Sequence, residues 1–159
     1  MTSAKGTEKR SIQRVAGLIL VVVAAASLTG CAHARMMIGK GAKRPAATEF
    51  GLGPRTSAQG LYIATLEHDR PLRPRQMLAV RLNIVDADGQ AIDAATFAID
   101  GGMPQHGHGL PTRPRVTRTL GTGRYEIEGV RFNMGGWWEF KVAITTARGT
   151  DTVTFNLDL

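Results

Sequence analysis

The feature that most constrains this chain is an alternation of period two that runs through its C-terminal part. Leu78, Val80, Leu82 and Ile84 alternate with Ala79, Arg81 and Asn83, and Trp138, Phe140, Val142 and Ile144 alternate with Glu139, Lys141, Ala143 and Thr145. Val153, Phe155 and Leu157 repeat the pattern against Thr154, Asn156 and Asp158. Successive side chains of a strand leave on opposite faces, so such runs make half-buried strands. Shorter candidates lie at 61–67, 96–100, 115–120, 124–128 and 130–133, with turn chemistry at Asp86-Ala87-Asp88-Gly89 and Gly121-Thr122-Gly123. No stretch of this part carries an amphipathic helical period. Seven or eight short strands with a turn about every ten residues predict an all-β domain, an antiparallel β-sandwich of immunoglobulin-like type, with a small Greek-key barrel as the competing arrangement. Trp138 is then a core anchor. Trp137 points the opposite way beside Gly135-Gly136, where it offers a surface to a protein partner.

The chain has a single cysteine, so no internal disulfide is available and the core must hold by packing. Cys31 closes Leu28-Thr29-Gly30-Cys31, behind a basic start (Lys5, Lys9, Arg10, Arg14) and an unbroken apolar run over 15–26. That run is shorter than the roughly 18 to 20 apolar residues of a spanning helix, which makes it a secretory leader rather than a permanent anchor. The pattern resembles the lipobox of bacterial lipoproteins. The resemblance implies that the leader, residues 1–30, is cut away and that Cys31 becomes an N-terminus carrying acyl chains of the palmitate kind. Several chains on one residue hold a protein at a membrane surface, where one alone binds marginally. An ordinary cleaved signal with an incidental cysteine is the plainer alternative. Ala32 in place of aspartate favours the outer over the inner membrane in a host with two, so the expected place is the cell envelope, on the periplasmic face.

Charge divides at the same point. The formal net charge is +7. The leader and the stretch 32–56 carry all of it, while residues 57–159 hold eleven Lys and Arg against eleven Asp and Glu. A nucleic-acid domain carries positive charge on its own surface, so no nucleic-acid partner is expected. The basic stretch suits attraction to anionic headgroups beside a lipid anchor, or is simply a solvated spacer. Residues 31–58, rich in Ala, Gly, Pro, Lys and Arg, read as a lipidated N-terminus and flexible linker. Residues 59–159 read as one domain, large enough for its own core. There is no internal repeat.

The stretch with chemistry is Gly101-Gly102-Met103-Pro104-Gln105-His106-Gly107-His108-Gly109-Leu110-Pro111. Its glycines and prolines predict an exposed loop between two strands. Histidines two apart on an extended backbone point to one side, so His106 and His108 converge on one ion if they bind any. Thioether with imidazole is a donor set that suits copper, above all the cuprous ion, whereas zinc favours cysteine or carboxylate in place of Met103. Met134, in Asn133-Met134-Gly135-Gly136, completes the set if its turn lies at the same end of the sandwich. The alternative is structural: Met103 caps the open end of the core, the glycines take positive φ and the histidines bond to carbonyls. His68, beside Asp69, reads as a surface residue at a strand end. His33 and the Met36-Met37 pair have only a minor claim to an auxiliary metal role.

Met103-Pro104-x-His106-Gly107-His108-Gly109, followed by Gly123-x-Tyr125, Phe132-x-Met134 and Gly136-x-Trp138-x-Phe140-x-Val142, resembles the YtkA-like domain, which is related to the FixH group of envelope proteins. The resemblance covers about 60 residues and implies an immunoglobulin-like or cupredoxin-like β-sandwich outside the cytoplasm, connected with copper handling or respiratory oxidase assembly. By that resemblance Met103, His106, His108 and Met134 are the candidate ligands of one copper ion. Gln105 and Gly135 stand where the family often has other residues.

Catalysis has no visible machinery. No serine or cysteine sits in a nucleophile elbow, and no carboxylate pair has a setting for acid and base work. Two functional classes remain. One is a membrane-tethered copper-binding module that exchanges the ion with an envelope metalloprotein. The other is a metal-free interaction or assembly module whose loop and Trp137 face a protein partner.

Overall fold

Wherever the apolar alternation is long, the chain is extended and pairs antiparallel. The computed structural model describes residues 41–159; the leader, Cys31, His33 and the Met36-Met37 pair lie outside the described residues. Nine strands follow in order: β1 (Arg55–Thr56), β2 (Tyr62–Glu67), β3 (Met77–Asp86), β4 (Thr96–Met103), β5 (His108–Gly109), β6 (Arg115–Gly121), β7 (Arg124–Arg131), β8 (Trp137–Thr146) and β9 (Gly149–Asp158). Seven of them have six residues or more. They form two sheets, β1-β2-β3-β7-β6 and β5-β4-β8-β9. With β1 and β5 set aside, β2-β3-β7-β6 facing β9-β8-β4 is the strand arrangement of a seven-stranded immunoglobulin-like sandwich.

The inward residues are those the alternation selected. Leu78, Val80, Leu82 and Ile84 from β3, Trp138, Phe140, Val142 and Ile144 from β8, and Val153, Phe155 and Leu157 from β9 are all buried in one core. Phe132 meets Trp138 edge-on at 5.2 Å between centroids, a favoured aromatic geometry. The whole core cluster comes from residues 62–157, with Leu52, Leu61 and Leu159 among those packed against it, so residues 41–159 carry a self-contained interior.

Two expectations are corrected. The segments 124–128 and 130–133 are not separate strands: 124–131 is continuous, and Gly129 at φ +80° forms a bulge where the register on β3 slips between Leu78 and Ala79. The bulge shifts the apolar phase, so Ile127 and Val130 both face inward, and this makes one strand look like two in sequence. The linker also ends earlier than composition suggests. Phe50 bridges Asn156 in parallel, Arg55 and Thr56 pair with Ala64 and Ile63, and Ser57 is buried. Phe50 and Leu52 are apolar anchors within an otherwise polar stretch, and two apolar residues suffice to dock a segment against an open strand edge.

Candidate functional site

Strand directions bring one set of connections to a common end of the sandwich. β2 ends and β3 begins there (Glu67 opposite Arg81), β7 ends there (Arg131 opposite Met77), and β4 and β9 end beside the start of β8 (Gly102 opposite Glu139, Asp158 opposite Trp137). The histidine loop, the 132–136 turn and Leu159 therefore share one rim. Gly136 exchanges two backbone hydrogen bonds with Leu159, at 2.7 and 3.1 Å. The Trp138 indole N–H donates to the Met134 carbonyl at 3.0 Å, which fixes the turn bearing Met134.

The predicted exposed loop is shorter than expected, because β4 runs on through Met103 and β5 returns at once. Gly102 pairs with Gly109 and Met103 with His108, leaving a four-residue turn, 104–107. The Met103 carbonyl accepts from the amides of His106 (3.1 Å) and Gly107 (2.9 Å). Gly107 sits at φ +66°, where a side chain would be strained. Gly101 has to be glycine for another reason: a Cβ there would lie 2.6 Å from the Glu139 carbonyl oxygen.

These constraints sort the candidate residues into two kinds. Residues 101–104 are buried, and Met103 is 0% exposed, part of the core rather than of the loop surface. A Cβ on Gly136 would stand 3.0 Å from its terminal methyl, so Met103 fills the floor beneath the 132–136 turn. His106 and His108 are exposed, with ring centroids 6.2 Å apart and planes within 14° of parallel. Two imidazoles on one ion, with nitrogen-to-metal bonds near 2 Å, hold their centroids about 6 Å apart when the nitrogens face each other across it. Met134 is 39% exposed at the same rim. Among the described residues, no group of three or more His, Cys, Asp or Glu is placed to hold a metal.

Trp137 is corrected. It leaves the sheet on the face opposite Trp138, outside the core cluster, yet it is only 4% exposed. Its indole N–H donates to Asn156 Oδ1 at 2.9 Å, so the ring lies along the sheet toward β9 instead of presenting itself to solvent. A strand-face argument assigns the side but not what covers it.

His68 stands just past β2, where Nδ1 accepts from the Arg70 amide at 3.0 Å. Partial burial, with a smaller contribution from the nearby arginines, pulls its pKa below the usual imidazole value, against the opposing pull of Asp69. Asp69 is engaged elsewhere, holding Arg81 through two hydrogen bonds of 2.9 and 2.6 Å that keep its own pKa low. Sequence reasoning passed over the arginines of this end. Their signal was present as Arg70-Pro71-Leu72-Arg73-Pro74-Arg75 and Arg113-Pro114-Arg115, two stretches that look unremarkable while the domain's charges sum to zero.

Two antiparallel sheets packed as an immunoglobulin-like sandwich, with a histidine hairpin and a methionine turn on one rim, make this a small all-β domain. The chain belongs to the YtkA-like family, whose family model matches residues 57–143. Among solved structures it is similar to a ZirS C-terminal domain, at 12% identity and a TM-score of 0.37, over 100% of this chain and 88% of that one. No curated protein matches the chain significantly.

Proposed function

We propose that the chain is a membrane-tethered binding module of the cell envelope, held by lipid on Cys31, that takes one copper ion between His106 and His108 with Met134 as the soft third donor. The observation that supports this reading is the exposed, near-parallel imidazole pair at 6.2 Å on the rim that also carries Met134. Met103 serves as the packed floor of the site. It reaches an ion only if the 132–136 turn moves aside. The module carries no catalytic step; it accepts or delivers the ion to an envelope partner.

Titration of residues 41–159 with cuprous and cupric ions tests the reading, since a fragment starting at Ser57 would discard Phe50 and Leu52. One ion per chain is expected, lost in His106→Ala/His108→Ala, with Met134→Leu weakening the cuprous ion more than the cupric. Binding no tighter than that of one surface histidine would overturn it. Labelled palmitate should enter the full chain and fail to enter Cys31→Ser.

The burial of Met103 favours a second reading, a metal-free assembly module whose hairpin is structural. In that case the double alanine variant leaves copper affinity unchanged and instead weakens association with an envelope partner.

A further inference from the structure

The neutral charge sum of the domain hides a cluster of arginines that topology creates. The rim that carries the histidine hairpin also gathers Arg70, Arg73, Arg75, Arg113, Arg115 and Arg131, from the 68–76 and 110–114 connections and the ends of β6 and β7. None of the six makes an ion pair among the described residues; of the other described arginines, Arg44, Arg81, Arg118 and Arg148 do, and Arg55 and Arg124 do not. Five of the six are exposed, and the Nε of Arg131 is buried without a hydrogen-bond partner. Most nearby carboxylates are engaged by other cations: Asp69 and Glu67 bind Arg81, Asp158 binds Arg44 and Glu139 binds Lys141, which leaves Glu128 opposite Arg115. The other end of the sandwich carries the exposed Asp88 and Asp93 against the exposed Arg124 and Arg148, while Asp86, which Arg148 pairs, and Asp151 are buried.

An apolar side chain stands among these arginines. Met77 is 62% exposed and borders two shallow depressions, one lined by Arg70 and the other by Arg113 and Arg115. With Met134 it makes two of the three large apolar side chains exposed among the described residues, both on the basic rim. The N-terminal segment reaches the fold at this rim too, where Arg44 binds Asp158 at 2.6 Å and Phe50 bridges Asn156. Unpaired guanidinium groups, able to fork onto phosphate oxygens, around exposed apolar side chains match the headgroup region of an anionic bilayer.

The structure assigns to this rim a docking surface for an anionic membrane: the arginines engage lipid phosphates, Met77 enters the boundary below them, and the opposite end of the sandwich faces away. The assignment does not depend on lipidation of Cys31 or on metal at the histidines, because residues 41–159 contain the whole surface without the anchor. It also turns the histidine hairpin toward the bilayer, so whatever docks on His106 and His108 approaches along the membrane plane.

Co-sedimentation of residues 41–159 with phosphatidylcholine vesicles, alone or mixed with phosphatidylglycerol, tests it. Binding should require the anionic lipid and fall steeply with added NaCl. Arg70→Ala/Arg113→Ala should weaken it about tenfold or more, while the charge-matched Arg118→Ala/Arg124→Ala changes it little. A polarity-sensitive dye on Met77→Cys should shift to the blue on anionic vesicles only, a readout that leaves every arginine in place. The inference is overturned by equal binding to neutral vesicles, by equal loss in the two arginine pairs, or by a dye that does not respond. It is equally overturned if inorganic phosphate saturates the rim and displaces the vesicles, which marks a phosphate pocket, or if a DNA duplex binds more tightly than they do.

Discussion

Asp151 shows how a single side chain can organise one end of this sandwich. It is 3% exposed, and its carboxylate accepts from the amides of Gln59 (2.9 Å), Leu61 (3.3 Å) and Thr152 (2.8 Å). Burial raises its pKa, but the Ser57 hydroxyl and those three amides lower it by more, so the net shift is downward. A carboxylate depressed in the folded state contributes stability above its unfolded pKa, near 3.9, and loses that contribution as pH falls through the folded value. Asp151→Asn should therefore cost about 1–3 kcal/mol at neutral pH and flatten the acid limb of the stability curve. Urea melts at several pH values check this, and an unchanged acid limb would count against it. Trp137 belongs at this scale as well. With both indoles buried, native emission should be blue-shifted and resist acrylamide, with no exposed component; a readily quenched half of the signal would contradict the burial of Trp137. The side on which each tryptophan lies was legible from alternation, but the cover over Trp137 was not, because strand period carries no information about what packs on a sheet's outer face.

At the level of elements, β9 is the outer strand of its sheet and ten residues long, a length that invites pairing with another chain. The segment before β2 covers it. Gly51 donates to the Asn156 carbonyl at 2.9 Å and Ala58 to the Thr152 carbonyl at 3.0 Å. A chain beginning at residue 59 should lose at least about 2 kcal/mol of stability, from the hydrogen bonds and the apolar contact of Leu52. It should also self-associate where the chain from residue 41 stays monomeric, as sedimentation velocity and urea melts would report. Composition had assigned this segment to the linker, since two apolar residues in a polar stretch leave no periodic trace. The seven strands of six residues or more were legible to within a few residues, apart from the bulge at Gly129, whereas β5 read as loop. In the hairpin, Gly107→Ala should cost about 1–2 kcal/mol for placing a side chain at φ +66°. The same change should loosen the imidazole pair, weakening copper binding if the metal reading holds. That His106 and His108 are both exposed was readable from the glycines around them. That Met103 lies beneath them in the core was not, because Gly and Pro on either side disguise the last residues of β4 as loop.

For the whole molecule, the arrangement of charge matters more than its total. Swapping charge between the ends, with Arg70→Glu and Arg113→Glu balanced by Asp88→Arg and Asp93→Arg, keeps the sum of the domain unchanged. It should nevertheless abolish the salt-sensitive binding to anionic vesicles, and retention of that binding would show that total charge suffices. Asp93 accepts a hydrogen bond from the Gly123 amide, so its replacement alone should lower the melting temperature slightly, which a thermal scan of the single variant reports separately. The sequence by itself determined the class of fold, because alternation of period two and the placing of turns are local properties that survive in any packed arrangement. It also marked the histidine hairpin as the main stretch of candidate metal ligands. Only the tertiary structure decided that Met103 is core, that Trp137 is covered, and that arginines from two separate stretches share one rim. The physical reason is common to all three: burial and charge clustering depend on which strand ends meet in space, and antiparallel pairing joins residues that lie tens of positions apart along the chain.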